Sequence, residues 1–213
     1  MTDFGFYLVM TNPVVGYERC CEAAVKAGVR MVQLRMKDAP RDEVGAAARR
    51  LVAIAKGSET KIIVNDDPVA AAEAGADGVH VGQGDMSVAE VRACFPEIGI
   101  VGLSTHNILQ ARASLSANPD YIGVGPVYAT PTKKIPDPTL GVSAAVEMIR
   151  AVPYPAVAIG GIDATTLPAV LRAGARNWAV VRAVCGSQDP YSAISALKEI
   201  EEECKVFRRC VQK

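Results

Sequence analysis

One short stretch of the sequence carries polar residues in a pattern that suits phosphate binding. In QLRMKD, Gln33, Arg35 and Lys37 alternate with Leu34 and Met36. In an extended chain, this alternation places the three polar side chains on one face. Arginine and lysine together are well suited to hold a polyanion such as a diphosphate. The pattern therefore predicts an anion-binding strand end at residues 33–37.

Two acidic residues further along the chain have no evident structural task. In NDDP, Asp67 precedes Pro68 and is expected to cap a helix, which leaves Asp66 available. In GQGDMS, Ser87 is the expected cap, which leaves Asp85 available. Two carboxylates that share a site and face a phosphate suit Mg²⁺. Zinc is disfavoured, because the chain has two histidines and no clustered cysteines.

Polar residues also follow a later apolar run, in GLSTHN. Ser104 and His106 are available there, since the following asparagine can cap the next helix. We expect His106 to be a hydrogen-bonding wall residue, with proton transfer as the alternative. His80, within GVHVG, is expected to be a supporting or core group.

Three stretches near the C-terminal half suit a ligand that carries a phosphate. Glycines in GGID, at 160 and 161, allow backbone amides to approach an anion, and Arg182 follows in VVRA. The long stretch YATPTKKIPDPTLG, residues 128–141, combines threonines, two lysines and three prolines. Exposed loops of this length are usually functional, so we expect it to act as a lid.

A repeated sequence pattern predicts the secondary-structure elements that position these residues. An Ala-Gly pair that ends a helical pattern and precedes an apolar run starts at Ala27, Ala74 and Ala173, so the copies are 47 and 99 residues apart. These distances are close to two and four times a βα unit of ~25 residues. Eight short apolar runs fit strands covered on both faces. They are residues 6–11, 31–35, 61–65, 78–82, 98–104, 121–127, 156–161 and 178–181.

Helical patterns separate all eight runs, which predicts a parallel sheet. We expect a (β/α)8 TIM barrel that forms a single domain over residues 1–213, and a doubly wound open sheet is the alternative. In a barrel, the chemistry lies at the carboxyl ends of the strands. The polar stretches above all follow predicted strands, so they are expected to meet at one mouth.

Composition narrows the choice of partners. The chain has 213 residues, with 23 basic and 23 acidic side chains and no net formal charge. This balance disfavours nucleic acid and membrane partners and favours small-molecule substrates. The start of the chain lacks the pattern of a secretory signal, and the six cysteines show no CxxC spacing. We therefore expect a cytoplasmic protein with reduced cysteines, which can form a homo-oligomer.

The set of motifs resembles that of the thiamine-phosphate synthase family. QLRMK, NDD, HVGQGD, GLSTHN, GVGPVYATPTKK, AIGGI and VVRA occur in the family's order and spacing. The resemblance implies condensation of 4-amino-5-hydroxymethyl-2-methylpyrimidine diphosphate with thiazole phosphate, which gives thiamine phosphate and pyrophosphate with Mg²⁺ as cofactor. It further implies loss of pyrophosphate before the thiazole nitrogen attacks.

The resemblance also implies roles for individual residues. Those implied for the pyrimidine diphosphate are Gln33, Leu34, Arg35, Met36, Lys37, Asn65, Ser104 and Lys133. Those implied for the thiazole phosphate are Thr130, Pro131, Thr132, Gly161, Val181 and Arg182. Asp66 and Asp85 are implied as Mg²⁺ ligands, and Lys133, Arg35 and Ser104 as catalytic residues.

Two positions depart from the family pattern. Met36 stands where the family usually has an acid, and Arg182 stands where it often has serine. Two other functions remain open at this point. A thiazole tautomerase of the same fold would use His106 and no metal, and a non-catalytic sensor of phosphate ligands would catalyse nothing.

Overall fold

The structure is a computed structural model that describes residues 2–132 and 137–211. Eight parallel strands pair in sequence order, and β8 pairs with β1 to close a barrel. The strands are β1 (Phe6–Met10), β2 (Met31–Leu34), β3 (Lys61–Asn65), β4 (Gly78–Val81), β5 (Ile100–Thr105), β6 (Tyr121–Val124), β7 (Ala156–Ala158) and β8 (Asn177–Val180). The predicted TIM barrel is therefore confirmed, and the open sheet is wrong.

Helices follow the strands and cover the outside of the barrel. They are α1 (Tyr17–Lys26), α2 (Arg41–Ala55), α3 (Pro68–Ala74), α4 (Val88–Cys94), α5 (Ile108–Ala117), α6 (Gly141–Arg150), α7 (Leu167–Arg172), α8 (Arg182–Cys185) and α9 (Pro190–Val211). No helix within the described ranges is both long enough and apolar enough to cross a membrane.

Apolar side chains form two separate layers of core. The larger layer lies between the strands and the helices and includes Leu8, Leu34 and Ile62. The smaller layer lies inside the barrel and includes Tyr7 and Tyr121. Alternate residues of each strand serve the two layers, which explains why the strands read as continuous apolar runs.

The predicted helix caps are confirmed. The Asp67 side chain accepts a hydrogen bond from the backbone N–H of Ala70 at 3.0 Å, with Pro68 in the first turn of α3. Ser87 forms a capping box with Glu90 at the start of α4. These caps fix where α3 and α4 begin, so the residues just before them are held at the barrel mouth.

Some boundaries differ from the prediction. The sixth and seventh predicted strands, 121–127 and 156–161, end three residues early, at Val124 and Ala158. The chain turns away after β7 because Gly160 and Gly161 adopt φ values of 103° and 63°, outside the range of a strand. The sequence does not predict helix α8, since four residues are too few for a helical period to show.

Candidate active site

One cavity of about 750 Å³ opens at the carboxyl ends of the strands. Its walls come from the βα loops, and its floor comes from side chains inside the barrel. Residues predicted from the sequence that line it are Gln33, Arg35, Lys37, Asn65, Asp66, Asp85, Ser104, His106, Thr130, Thr132, Gly160, Gly161, Val181 and Arg182. The cavity is therefore the place where the predicted polar stretches meet.

Two cations from the end of β2 lie on one side of the cavity. Lys37 Nζ lies 2.5 Å from Asp66 Oδ2, and about half of the Lys37 side chain is exposed. Arg35 donates a long hydrogen bond to Thr11 Oγ1 at 3.4 Å. Burial lowers the pKa of the Arg35 guanidinium, although the nearby Asp66 carboxylate partly offsets this. A half-buried cation of this kind is stabilised when an anion enters the cavity.

The two acidic residues singled out in the sequence lie next to each other. Asp66 follows β3 with φ 63°, a conformation that asparagine and aspartate tolerate better than most residues. Its carboxyl group lies within hydrogen-bonding reach of Asp85. Asp85 Oδ2 accepts a hydrogen bond from the Gly82 N–H at 2.7 Å. A Cβ at position 82 would lie 2.9 Å from that oxygen, so a side chain there would displace the Asp85 carboxylate.

The electrostatics of this acidic pair suit a divalent cation. Partial burial raises the pKa of Asp85, and the Asp66 carboxylate raises it further, while the Gly82 N–H and Lys37 lower it. A cation between the two carboxylates would favour the ionised form of both. In the part of the chain that the structure describes, no group of three or more His, Cys, Asp or Glu side chains could hold a metal. Two neighbouring carboxylates suit Mg²⁺, because this ion takes few protein carboxylates and completes its shell with water and substrate oxygens.

The floor of the cavity is a chain of buried hydrogen bonds. Gln33 Nε2 donates to the Tyr7 hydroxyl at 2.8 Å, and the Tyr7 and Tyr121 hydroxyls lie 2.8 Å apart. The Tyr121 hydroxyl lies 3.0 Å from His80 Nδ1, and His80 Nε2 lies 2.9 Å from Ser104 Oγ. The supporting role expected for His80 is thus seen in its contacts. Sequence reasoning missed both tyrosines, because each lies in an apolar run that reads as ordinary strand.

The opposite side of the cavity is built by the loops after β6 and β7. The Thr130 and Thr132 hydroxyls lie 3.0 Å apart, and both residues line the cavity. The Tyr128 N–H donates to the Gly160 carbonyl at 2.9 Å, which ties the two loops together. A Cβ on Gly161 would lie 2.7 Å from Tyr128 Cβ, so the close approach of the loops requires glycine.

The loop after β8 completes this side. Val181, Arg182 and Ala183 line the cavity where α8 begins. Backbone amides at such a position, together with a guanidinium, suit a phosphate group. His106 Nδ1 lies 2.7 Å from the Gly125 carbonyl oxygen, so His106 serves as a wall residue that holds the start of the loop after β6.

A few residues implied by the resemblance do not line the cavity. Leu34 is fully buried in the outer core layer, and Met36 packs against that layer. Both have the outward parity of the strand end, so their side chains point away from the site. Pro131 is not among the lining residues. Lys133 lies outside the described residues, as does the rest of 133–136.

Comparison with known proteins agrees with this arrangement. The family model described as thiamine monophosphate synthase matches residues 6–184. A thiamine-phosphate synthase of Anaeromyxobacter dehalogenans is 42% identical over 206 residues, which cover 96% of this chain and 90% of that protein. One from Thermus thermophilus is 43% identical over 181 residues, which cover 84% of this chain and 85% of that protein.

Solved structures show the same likeness. Thiamine phosphate pyrophosphorylase from Pyrococcus furiosus superposes with a TM-score of 0.87 at 27% identity, covering 95% of this chain and 98% of that one. A 3-hexulose-6-phosphate synthase, at 19% identity and a TM-score of 0.66, shares the fold alone. From the match of the family model and the identity to full-length relatives, the chain belongs to the thiamine monophosphate synthase family.

Proposed function

We propose that this chain condenses 4-amino-5-hydroxymethyl-2-methylpyrimidine diphosphate with thiazole phosphate, giving thiamine phosphate and pyrophosphate. Its family membership supports a transferase of this kind. The cavity supports it further, because it offers two separate places for phosphate groups on either side of an uncharged floor.

The diphosphate lies against the loops after β2, β3 and β4 in this proposal. Arg35 and Lys37 bind its oxygens, and Asn65 and Ser104 contact the pyrimidine. Gln33 is nearly fully buried at the floor, so it can reach only the ring. Lys133 is proposed to reach the diphosphate as well, although it lies outside the described residues.

The thiazole phosphate lies across the cavity from the diphosphate. Thr130 and Thr132 offer hydroxyl groups, and Gly161 offers a backbone N–H. The loop after β8 contributes the backbone of Val181 and Arg182, together with the Arg182 guanidinium. Opposite placement of the two phosphate groups directs the reactive atoms of both substrates towards the middle of the cavity.

Mg²⁺ is proposed as the cofactor, held by Asp66 and Asp85. When bound, it neutralises negative charge on the diphosphate oxygens. The ion pair between Lys37 and Asp66 places a cation of the chain beside the same carboxylate. Lys37 can therefore move from Asp66 to the diphosphate when substrate enters.

The proposed reaction proceeds by departure of the leaving group before attack. The C–O bond of the pyrimidine diphosphate breaks, and its electron pair leaves with pyrophosphate while the aminopyrimidine ring donates electrons to the methylene carbon. The thiazole nitrogen lone pair then forms the new C–N bond. Arg35 and Lys37 stabilise the developing charge on pyrophosphate, and the enclosed floor keeps water from the reactive carbon.

The observation that carries this proposal is the juxtaposition of Asp66 and Asp85 with two cations in one cavity. A thiazole tautomerase has no use for that arrangement. Its catalyst would be His106, whose Nδ1 atom lies within hydrogen-bonding distance of the Gly125 carbonyl oxygen. A phosphate sensor would release no pyrophosphate. We also propose a cytoplasmic location, since five of the six cysteines are free thiols, as in a reducing compartment; these are Cys20, Cys21, Cys94, Cys185 and Cys204.

The test is to incubate the protein with both substrates and Mg²⁺ and to quantify pyrophosphate and thiamine phosphate. We expect the two products in equal amounts. When buffer replaces the thiazole phosphate, no product should form beyond the pyrophosphate that hydrolysis of the pyrimidine diphosphate releases. Absence of pyrophosphate with both substrates present would rule the proposal out in favour of one of the rivals.

A further inference from the structure

The hydrogen-bond chain at the floor of the cavity has a direction, and that direction determines what the floor presents to a ligand. The chain runs through Gln33, Tyr7, Tyr121, His80 and Ser104, all joined at 2.8–3.0 Å. The middle members are buried: Tyr7 is 2% exposed, Tyr121 0% and His80 9%. All five line the cavity, and among them Ser104 is the one that is only partly buried, so its hydroxyl is the best placed to meet a substrate.

Each tyrosine in this chain has one hydrogen to donate. Burial raises the pKa of both Tyr7 and Tyr121 well above the ordinary value, so both hydroxyls keep their hydrogen. Gln33 donates its amide N–H to the Tyr7 oxygen. The Tyr7 hydrogen is then available for the Tyr121 oxygen, and the Tyr121 hydrogen is directed to His80 Nδ1.

This order fixes the state of the imidazole. With Tyr121 as the donor to His80 Nδ1, the ring hydrogen is placed on Nε2, from which it is donated to Ser104 Oγ. A doubly protonated ring would donate to Tyr121 instead. Tyr7 would then receive hydrogens from both Tyr121 and Gln33, and its own hydrogen would have no acceptor in the chain. Such a loss is costly for a buried hydroxyl.

We propose that His80 is a positioning residue that directs the Ser104 hydroxyl hydrogen into the cavity. Because Ser104 Oγ accepts from His80, its own hydrogen is left for an acceptor on the ligand. The pyrimidine diphosphate offers such acceptors in its ring nitrogens and phosphate oxygens. The inference rests on the proposed placement of this substrate against Ser104, and it adds that His80, Tyr121 and Tyr7 set the donor character of that contact.

The first test reads the tautomer directly. ¹⁵N NMR of the unaltered protein, labelled at histidine, should show a neutral His80 ring with its hydrogen on Nε2. The chain has two histidines, so the His80→Gln spectrum assigns the signals. A hydrogen on Nδ1, or a doubly protonated ring, would overturn the proposal without the need for any variant to be active.

Two tyrosine variants test the direction of the chain. Tyr121→Phe removes the hydroxyl that donates to His80 Nδ1 and should shift the tautomer signal. Tyr154→Phe is the matched control, because the Tyr154 hydroxyl contacts Ser114 in the helical layer, away from the cavity. It should leave the signal as it is. An unchanged signal in Tyr121→Phe would contradict the proposed direction.

Kinetics test the consequence for the substrate. His80→Leu introduces an apolar side chain of similar size and removes the donor to Ser104, so kcat/KM for the pyrimidine diphosphate should fall roughly tenfold or more. The KM for thiazole phosphate should stay unchanged. His80→Gln restores an N–H near the position of Nε2 and should recover most of the loss.

Equal loss in His80→Leu and His80→Gln, with both proteins folded by circular dichroism, would show that the donor is not what matters and would refute the inference. The inference would also be refuted if the affinity of His80→Leu for thiazole phosphate fell as much as its kcat/KM for the pyrimidine diphosphate. Failure of the proposed function is distinguishable, because the unaltered protein would then release no pyrophosphate at all.

Discussion

Replacing Gly161 by alanine separates the geometry of the proposed thiazole phosphate site from the rest of the barrel. Gly161 has φ +63°, and a Cβ there would lie 2.7 Å from Tyr128 Cβ and 2.8 Å from the Ala129 carbonyl oxygen. Both distances are shorter than real Cβ contacts, so the loops after β6 and β7 must move apart. The threonines of the loop after β6 would move with them.

The loss in the free energy of unfolding of Gly161→Ala has two parts, which a control variant separates. The left-handed conformation costs an alanine about 1–2 kcal/mol, and forcing a methyl group into a packed contact costs about 1–3 kcal/mol more. Gly75→Ala is the matched control, because Gly75 has φ +66° and nothing within 4 Å of its Cβ. The free energy of unfolding should therefore fall by about 1–2 kcal/mol in Gly75→Ala and by about 2–5 kcal/mol in Gly161→Ala.

Urea denaturation gives the stabilities, and initial rates give the effect on the site. With the pyrimidine diphosphate saturating, Gly161→Ala should raise the KM for thiazole phosphate, whereas Gly75→Ala should not. The KM for pyrimidine diphosphate should change little in either variant. Equal stability losses in the two variants, with equal KM values for thiazole phosphate, would refute the close packing of these loops as the basis of the phosphate site.

Further variants test the diphosphate side. Asp66→Asn and Asp85→Asn should each lower the rate of pyrophosphate release at least about 100-fold at fixed Mg²⁺; near-normal rates in either would remove the metal assignment. Arg35→Met, which keeps the apolar stem without the charge, should lower kcat/KM for the pyrimidine diphosphate roughly 10- to 100-fold, and an unchanged value would exclude contact with the diphosphate. Lys133→Ala should slow single turnovers more than it weakens thiazole phosphate binding; a rise in KM alone would contradict that role.

Much of the fold could be predicted because its signals are local. The caps at Asp67 and Ser87, and the glycine that ends α3, depend on residues within a few positions of each other. The repeated Ala-Gly phrase then indicates the number of units. Closure of the sheet follows from that number, and not from any single residue.

The parts that could not be predicted depend on contacts between distant segments. The ion pair of Lys37 with Asp66 joins the ends of β2 and β3, and no partner for this aspartate is evident from its neighbours in the sequence. Tyr7 and Tyr121 are 114 positions apart, yet their hydroxyls meet at the floor. Strand parity predicts that each points inward, but not that they form one chain with His80.

Individual residues also show the limit of reasoning from a family motif. The motif QLRMK implies five binding residues, although Leu34 and Met36 face the helices. Alternation along the strand separates them from Gln33, Arg35 and Lys37, and this parity is already visible in the sequence. A motif therefore marks the strand that builds a site, whereas parity marks the side chains that enter it.

The most direct measurement is a crystal structure of the protein with thiamine phosphate, pyrophosphate and Mg²⁺. We expect pyrophosphate against Arg35 and Lys37, the metal ion bound to both Asp66 and Asp85, and the phosphate of thiamine phosphate at Gly161. Pyrophosphate bound on the Gly161 side, or a metal ion that contacts neither aspartate, would contradict it.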